Sequence, residues 1–217
     1  MTFAQLKTAT FRRLAESSTA PVFWTEDDVE TALNDGYAEL SDATGWYELT
    51  RTLDLLNDRP WYDLRDILGS RFLAVGPTFN DTTQRWLTPT AVRDLDGHDR
   101  KWESNQGQPQ RVMTHALWWL GFWPRVQEDA GTLTQYFTAL PDALDDDSDV
   151  PGFPSLYHTG IVDYALTDLW AQDGETARAL TAWASYLAVE AALQGWVDSR
   201  ASVPTRRGFG NVTGLPA

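Results

Sequence analysis

Two spacings of apolar residues divide this chain, and each predicts its own kind of element. Near the start, Leu6, Phe11 and Leu14 line one side of a short helical segment. Thr2 stands before it as a cap with Gln5 three residues on, the spacing of a capping box. Arg12 and Arg13 lie at its end, where cations suit a helix C-terminus. Ser17 to Pro21 reads as a polar linker. Thr25 is a second N-cap, followed by Glu26, Asp27 and Asp28. Val29, Ala32, Leu33, Tyr37 and Leu40 then recur at intervals of three and four, which predicts a helix to Ala43, stopped by Gly45.

From Tyr47 the period falls to two. Tyr47, Leu49, Leu53 and Leu55 alternate with Glu48, Thr50, Thr52 and Asp54, the pattern of a strand with one buried face. Asn57-Asp58-Arg59-Pro60 is a turn. Trp61–Leu64 predicts a second strand, Arg71–Val75 a third stopped by Gly76-Pro77, and Gln84–Leu87 a fourth. Thr88-Pro89 predicts a helical turn with Pro89 at its first position and Val92 and Leu95 on its apolar side. Ser104 to Pro109 is loop. Arg111–His115 and Ala116–Trp123 read as strands, the second ended by Pro124. In Thr132–Thr138 the threonines and Tyr136 share one face, and Leu133 and Phe137 the other. Short strands at this spacing imply an antiparallel sheet or sandwich.

Helical spacing returns with Ile161, Val162, Ala165, Leu166 and Leu169, and Asp173-Gly174 is a C-terminal stop. A last helix begins near Glu175, with Ala177, Leu180, Ala184, Leu187, Ala188 and Ala191 expected as its inner face. Beyond Ala201, glycines, prolines and scattered apolar residues cannot build a core. The expected fold class is therefore α+β: a helical bundle from both chain ends, an inserted antiparallel β lobe and an extended C-terminal arm. Residues 1–45 supply the N-terminal helices, 46–140 the lobe, 141–200 the C-terminal helix pair and 201–217 the arm.

Composition narrows the function more than the fold. Apolar residues make up 42% of 217 positions, enough for a real core. The absence of cysteine removes disulfides, thiolate metal sites and cysteine nucleophiles together. No signal-peptide pattern opens the chain and no stretch is long enough to span a bilayer, so a soluble protein made in a cytoplasm, with no membrane partner, is expected. A net charge of −14 repels phosphate backbones, which argues against a conventional nucleic-acid binder without excluding a surface that DNA slides past. Eleven tryptophans favour packed cores and protein interfaces.

No catalytic constellation emerges, and no cofactor or metal site is expected. Asp145, Asp146, Asp147 and Asp149 lack the glycine and closing glutamate of a calcium loop and read as a solvated acidic loop. His98, His115 and His158 have no ligand-type neighbour three or four residues away. Gly208-Phe209-Gly210 is not a phosphate cradle, and no serine sits in a nucleophile elbow. The run Leu117 to Trp123 fits a buried strand or a subunit contact better than an aromatic sugar platform. Val203, Arg206, Arg207, Phe209, Val212 and Leu215 mix charge with apolar groups, as in an arm that orders on a partner's acidic surface.

Several segments, in order, carry a family resemblance. They are Leu33-Asn34-Asp35-Gly36-Tyr37-Ala38-Glu39-Leu40, then Thr44-Gly45-Trp46, then Trp61-Tyr62-Asp63-Leu64. Leu95 to Trp102 follows, with Gly107-Gln108-Pro109, Leu120-Gly121-Phe122-Trp123-Pro124, Leu140-Pro141, the aspartate run and Pro154 to Tyr157. Over residues 25–199 the chain resembles the head–tail connector (adaptor) proteins of tailed bacteriophages. The resemblance implies a non-enzymatic virion protein in the neck between capsid and tail. It implies a self-assembled ring, typically a dodecamer, below the portal protein, through which genomic DNA passes without specific binding. The six arm residues would dock on the portal, and the opposite end would receive the next tail or neck protein, a tail-completion, terminator or nozzle component. The alternative is a carbohydrate-binding or other accessory virion module using exposed tryptophans.

Overall fold

The computed structural model describes residues 1–16, 23–57, 59–98, 100–116, 118–126 and 131–201. The linker expected at Ser17–Pro21 and the C-terminal arm lie outside them. The described residues divide into two compact units, one built from residues 1–47 and 140–201, the other from Glu48–Ala139.

The first unit is helical. Helix α1 covers Phe3–Leu14, and the expected capping box is present, with Thr2 and Gln5 satisfying each other's backbone N–H groups. Helix α2 covers Glu26–Thr44, again opened by a box, here Thr25 with Asp28, and closed by Gly45 in the left-handed conformation. The Thr25 hydroxyl and amide hold the Asp28 carboxyl below the usual carboxylate range. Helix α5 covers His158–Gln172 and helix α6 Thr176–Ala201; α3 and α4 belong to the second unit. Helix α5 is the centre of this unit and packs against α1, α2 and α6. Its Ile161, Val162, Ala165, Leu166 and Leu169 meet Phe3, Leu6, Leu33 and Leu40 in one continuous core. The Arg13 guanidinium pairs with the buried Asp163 carboxylate, tying α1 to α5. Burial alone would leave that carboxylate costly, and the pairing offsets it.

The second unit holds two four-stranded sheets. Strands β1 (Glu48–Asp54), β8 (Thr132–Ala139), β3 (Phe72–Asn80) and β4 (Arg85–Trp86) lie in that order in one sheet. Strands β2 (Trp61–Asp63), β7 (Trp119–Trp123), β6 (Arg111–His115) and β5 (Thr88–Pro89) form the other. All pairings are antiparallel except the short β5–β6 pair. Leu53, Leu133 and Phe137 of the first sheet share a core with Tyr62, Val112, Leu120 and Phe122 of the second. The alternation read from Thr132–Thr138 is followed closely: every second residue of β8, from Leu133 to Ala139, is buried.

Four expectations need correction here. Strand β3 does not stop at Gly76-Pro77 but runs through them to Asn80, with a register shift between Val75 and Thr78. Proline is tolerated in a sheet at such an irregularity. The buried Gln135 side chain supports it by donating to the Gly76 and Pro77 carbonyls at 3.0 and 3.2 Å and accepting from the Thr78 hydroxyl. Thr88-Pro89 is not a helix start but edge strand β5. Thr88 and Thr90 donate to the carbonyls of Gln110, just before β6, and of Val112 within it, so Pro89 falls on the side where no N–H is needed. Helix α4 begins later, covering Val92–His98. The second strand ends at Asp63, whose carboxylate caps a short helix α3, Leu64–Leu68, by accepting the Arg65 N–H at 2.9 Å. The fourth correction concerns α6.

Candidate assembly surface

Helix α6 is apolar on two opposite sides. The buried side carries Ala179, Ala182, Tyr186 and Leu193, with Val189, Trp196 and Val197 packed against the same core. Ala177, Leu180, Ala184, Leu187, Ala188 and Ala191, expected to face inward, are all exposed. Both stripes step by three and four residues, about 200° apart around the helix. Periodicity reveals a stripe but cannot say which of two meets the core. Leu180 is 64% and Leu187 44% exposed, and Trp183, half-turned onto Tyr186, is 37% exposed.

This face is also free of charge. No ionisable acid or base other than Tyr186 occurs from Ala179 to Val189, in a chain of net charge −14. Helix α2, by contrast, exposes Glu26, Asp27, Asp28, Asp35, Glu39 and Asp42. Two copies meeting through such acidic faces would repel each other, whereas the α6 face brings no like charge to a contact. Its alternation of leucine with alanine, spaced 177, 180, 184, 187 and 191, is the spacing that lets a second helix seat knobs into holes.

The segment where the helical unit resumes is built as a clasp. The Asn34 side chain holds Leu144 from both sides, donating to its carbonyl at 3.1 Å and accepting its N–H at 2.8 Å. The Gly152 N–H donates to the Tyr37 hydroxyl at 3.2 Å. Burial raises the Tyr37 pKa, keeping that hydroxyl neutral. The Trp46 ring packs on Gly152 so closely that a Cβ there would lie 2.6 Å from it, and it meets Phe153 edge-on. The aspartate run is not merely solvated. Asp149 accepts the N–H groups of Asp145 and Asp146 at 2.9 Å each, and these bonds hold its carboxyl below the usual range. The Asp147 and Asp149 carbonyls accept the Ala4 and Phe3 N–H groups, satisfying donors that the first turn of α1 leaves open. The Lys7 ammonium joins Glu26, Glu30 and Asp147 at 2.7–2.8 Å. Partial burial works against the Lys7 charge, and the three carboxylates outweigh it and raise its pKa.

A match over residues 1–208 to the family model described as SU10 adaptor protein decides the family. The chain belongs to the SU10 adaptor family. That family is one of phage head–tail adaptors, so the protein is a structural virion component that works with other head and tail proteins. None of the curated proteins compared matches the chain.

In this adaptor the clasp residues Asn34, Tyr37 and Trp46 lie in segments that carried the resemblance, and they hold Leu144 and Gly152. Their chemistry is positional. Among the described residues no group of three or more histidine, cysteine, aspartate or glutamate side chains is arranged to hold a metal ion. No helix of those residues is long and apolar enough to cross a membrane. His158 is buried in the helical unit beside the Phe153 carbonyl, 2.9 Å from its Nε2, whereas His115 lies in the sheet unit against the Trp61 ring.

The tryptophans of the adaptor's aromatic run do not share one open face. Trp118 packs against Phe72, and Trp123 donates to the Trp102 carbonyl at 2.9 Å with Arg111 over its ring. Between Trp119 and Trp123, the Trp61 ring covers Gly121, where a Cβ would come within 2.4 Å of it. Of the three, only Trp119 is exposed, to 39%. The arm residues Val203, Arg206, Arg207, Phe209, Val212 and Leu215 lie outside the described residues.

Proposed function

We propose that this adaptor forms a closed ring below the portal, joining capsid to tail and letting DNA pass through its centre. The observation that carries the reading is the exposed, uncharged Leu180–Leu187 face of α6. A monomer with a complete core leaves a second heptad-spaced stripe bare, as a subunit meant for a neighbour does. In a cyclic assembly each copy offers one patch to the next and receives another, and the family's rings suggest twelve copies. The acidic surface supports a lumen that repels the DNA backbone rather than binding it.

The arm, with Val203, Arg206, Arg207, Phe209, Val212 and Leu215, docks on the portal, and the far end of the ring receives the next neck or tail protein. Two experiments test this. Purified portal should bind the full chain, and a chain ending at Ala201 should lose that binding and fail to support virion assembly. Assembly by the shortened chain would remove the docking role of the arm. Sedimentation of the Leu180→Glu, Leu187→Glu double variant, alone and with portal, tests the ring contact. Ring formation undiminished by two buried carboxylates would contradict it.

A further inference from the structure

The two sheets of the second unit are joined along one side by a single extended passage. Its first part, β4, pairs with the end of β3 through Phe79–Trp86 and Asn80–Arg85. Its second part, β5, pairs with the start of β6 through Thr88–Arg111 and Pro89–Val112. Each contact lasts two residues. Beyond them both edges are bare: among the described residues no backbone partner lies along Phe72 to Pro77 opposite β8, or along Met113 to His115 opposite β7. The Gln110 and Val112 carbonyls accept from the β5 passage, and the two-residue alternation of a strand turns the Thr114 peptide to the same edge.

The two bare edges flank a cavity of about 580 Å³, lined by Phe72, Leu73 and Val75 on one side and by Met113, Thr114 and Ala116 on the other. Its walls are mainly apolar, and Asp94 supplies a carboxylate. Unpaired strand edges beside an apolar floor are what an added strand needs: backbone groups for affinity and a place for alternate side chains. The chain already solves half of this problem with its own Arg85–Thr90 passage, and the open half continues the same edges.

We propose that this groove accepts a β-strand and that the strand is Gly208–Leu215 of this chain's own arm. The inference rests on the reading of residues 201–217 as an arm and adds a resting place for it before the portal is met. Three features favour this occupant. Sixteen residues follow Ala201, ample to supply a strand of the five or so residues the edges present. In Gly208–Leu215 the period is two: Phe209, Asn211, Thr213 and Leu215 fall on one face, and Gly208, Gly210, Val212 and Gly214 on the other. One face thus carries side chains for the groove, and the other is nearly bare. The segment after Ala201 also contains no acid and two arginines, whereas the rest of the chain sets fifteen lysines and arginines against thirty-one acids. The arm is therefore attracted to the body that precedes it, and Asp94 lies within reach of a strand in the groove.

Hydrogen exchange on the purified full chain, without portal, tests the proposal. The amides of Phe72–Gly76 and Met113–Ala116 should exchange at least about tenfold more slowly than in a chain ending at Ala201. The β1–β8 amides should be unchanged and so report an intact fold. A Gly208–Leu215 peptide added to the shortened chain should restore the protection. In the full chain, Val212→Pro removes a backbone donor from the added strand without touching either sheet and should abolish it. Equal exchange in full and shortened chains, or protection that survives Val212→Pro, would overturn the proposal. Such a failure leaves portal docking standing. Conversely, protection by the arm together with no portal binding would remove the docking role and leave the groove.

Discussion

Helices α5 and α6 are both rich in apolar residues and differ in their surroundings. Helix α5 gathers Ile161, Val162, Ala165, Leu166 and Leu169 on one broad face, whereas α6 carries eleven successive residues without an acidic or basic side chain from Ala179 to Val189. Helix α5 uses this character entirely inside its unit, with α1, α2 and α6 around it. Helix α6 uses half of it there and leaves Leu180 and Leu187 open. A helix apolar all round is a buried helix, and the proposed ring contact would cover the side of α6 that this unit leaves open.

The comparison can be broken most sharply by mutation. Leu166→Ala in α5 should cost about 2–5 kcal/mol of unfolding free energy, because it opens a cavity in a fully packed core. Denaturant unfolding of the monomer measures it. Leu187→Ala in α6 should change the same quantity by no more than about 0.5 kcal/mol. Similar costs at the two positions would mean that the α6 face is already covered and that the contrast is false.

The clasp gives a smaller effect in the same unit. Asn34→Ala removes both bonds to Leu144 and leaves its peptide groups without their partner, a loss of about 1–3 kcal/mol by thermal or denaturant melting. Asn34→Asp restores only the acceptor and should recover part of it.

A pH titration sharpens the picture further. Burial lowers the His158 pKa below its ordinary value, with the hydrogen bond to Phe153 opposing in part. The unfolded chain therefore takes up the proton first as pH falls. The contribution of His158 to stability is complete above about pH 6.5 and is lost progressively below it, until the folded form protonates too. Unfolding free energy should decline from pH 7 to pH 5, and His158→Gln should flatten that slope. An unchanged slope in the variant would place the sensitive group elsewhere. The smallest effect on the fold is expected from Leu187→Glu, whose melting curve should match the parent while its self-association is lost.

Much of this arrangement is legible in the sequence. Thr2, Thr25, Gly45 and the alternation of Thr132–Thr138 act through short-range chemistry, and the elements they mark formed where expected. Strand β3 was misread because Gly76-Pro77 is a stop by local rules, and only Gln135, 58 residues from Pro77, supplies what the passage needs. The inner face of α6 was misread because two stripes satisfy one period. The aspartate run is a solvated loop, with Asp145, Asp146 and Asp147 exposed, but its partners, Lys7 and the first turn of α1, lie at the other end of the chain and leave no local signal. The clasp was visible as a resemblance in Asn34, Tyr37 and Trp46, but its reason, a grip on Leu144 and Gly152, appears only in three dimensions.

The central claim is that the bare face of α6 is the contact between neighbouring copies in a ring. Cryo-electron microscopy of the intact virion neck tests it most directly. The account predicts a closed ring of copies beneath the portal with Leu180 and Leu187 of each covered by the next. Copies that do not touch, or a ring in which that face looks onto solvent, would contradict it.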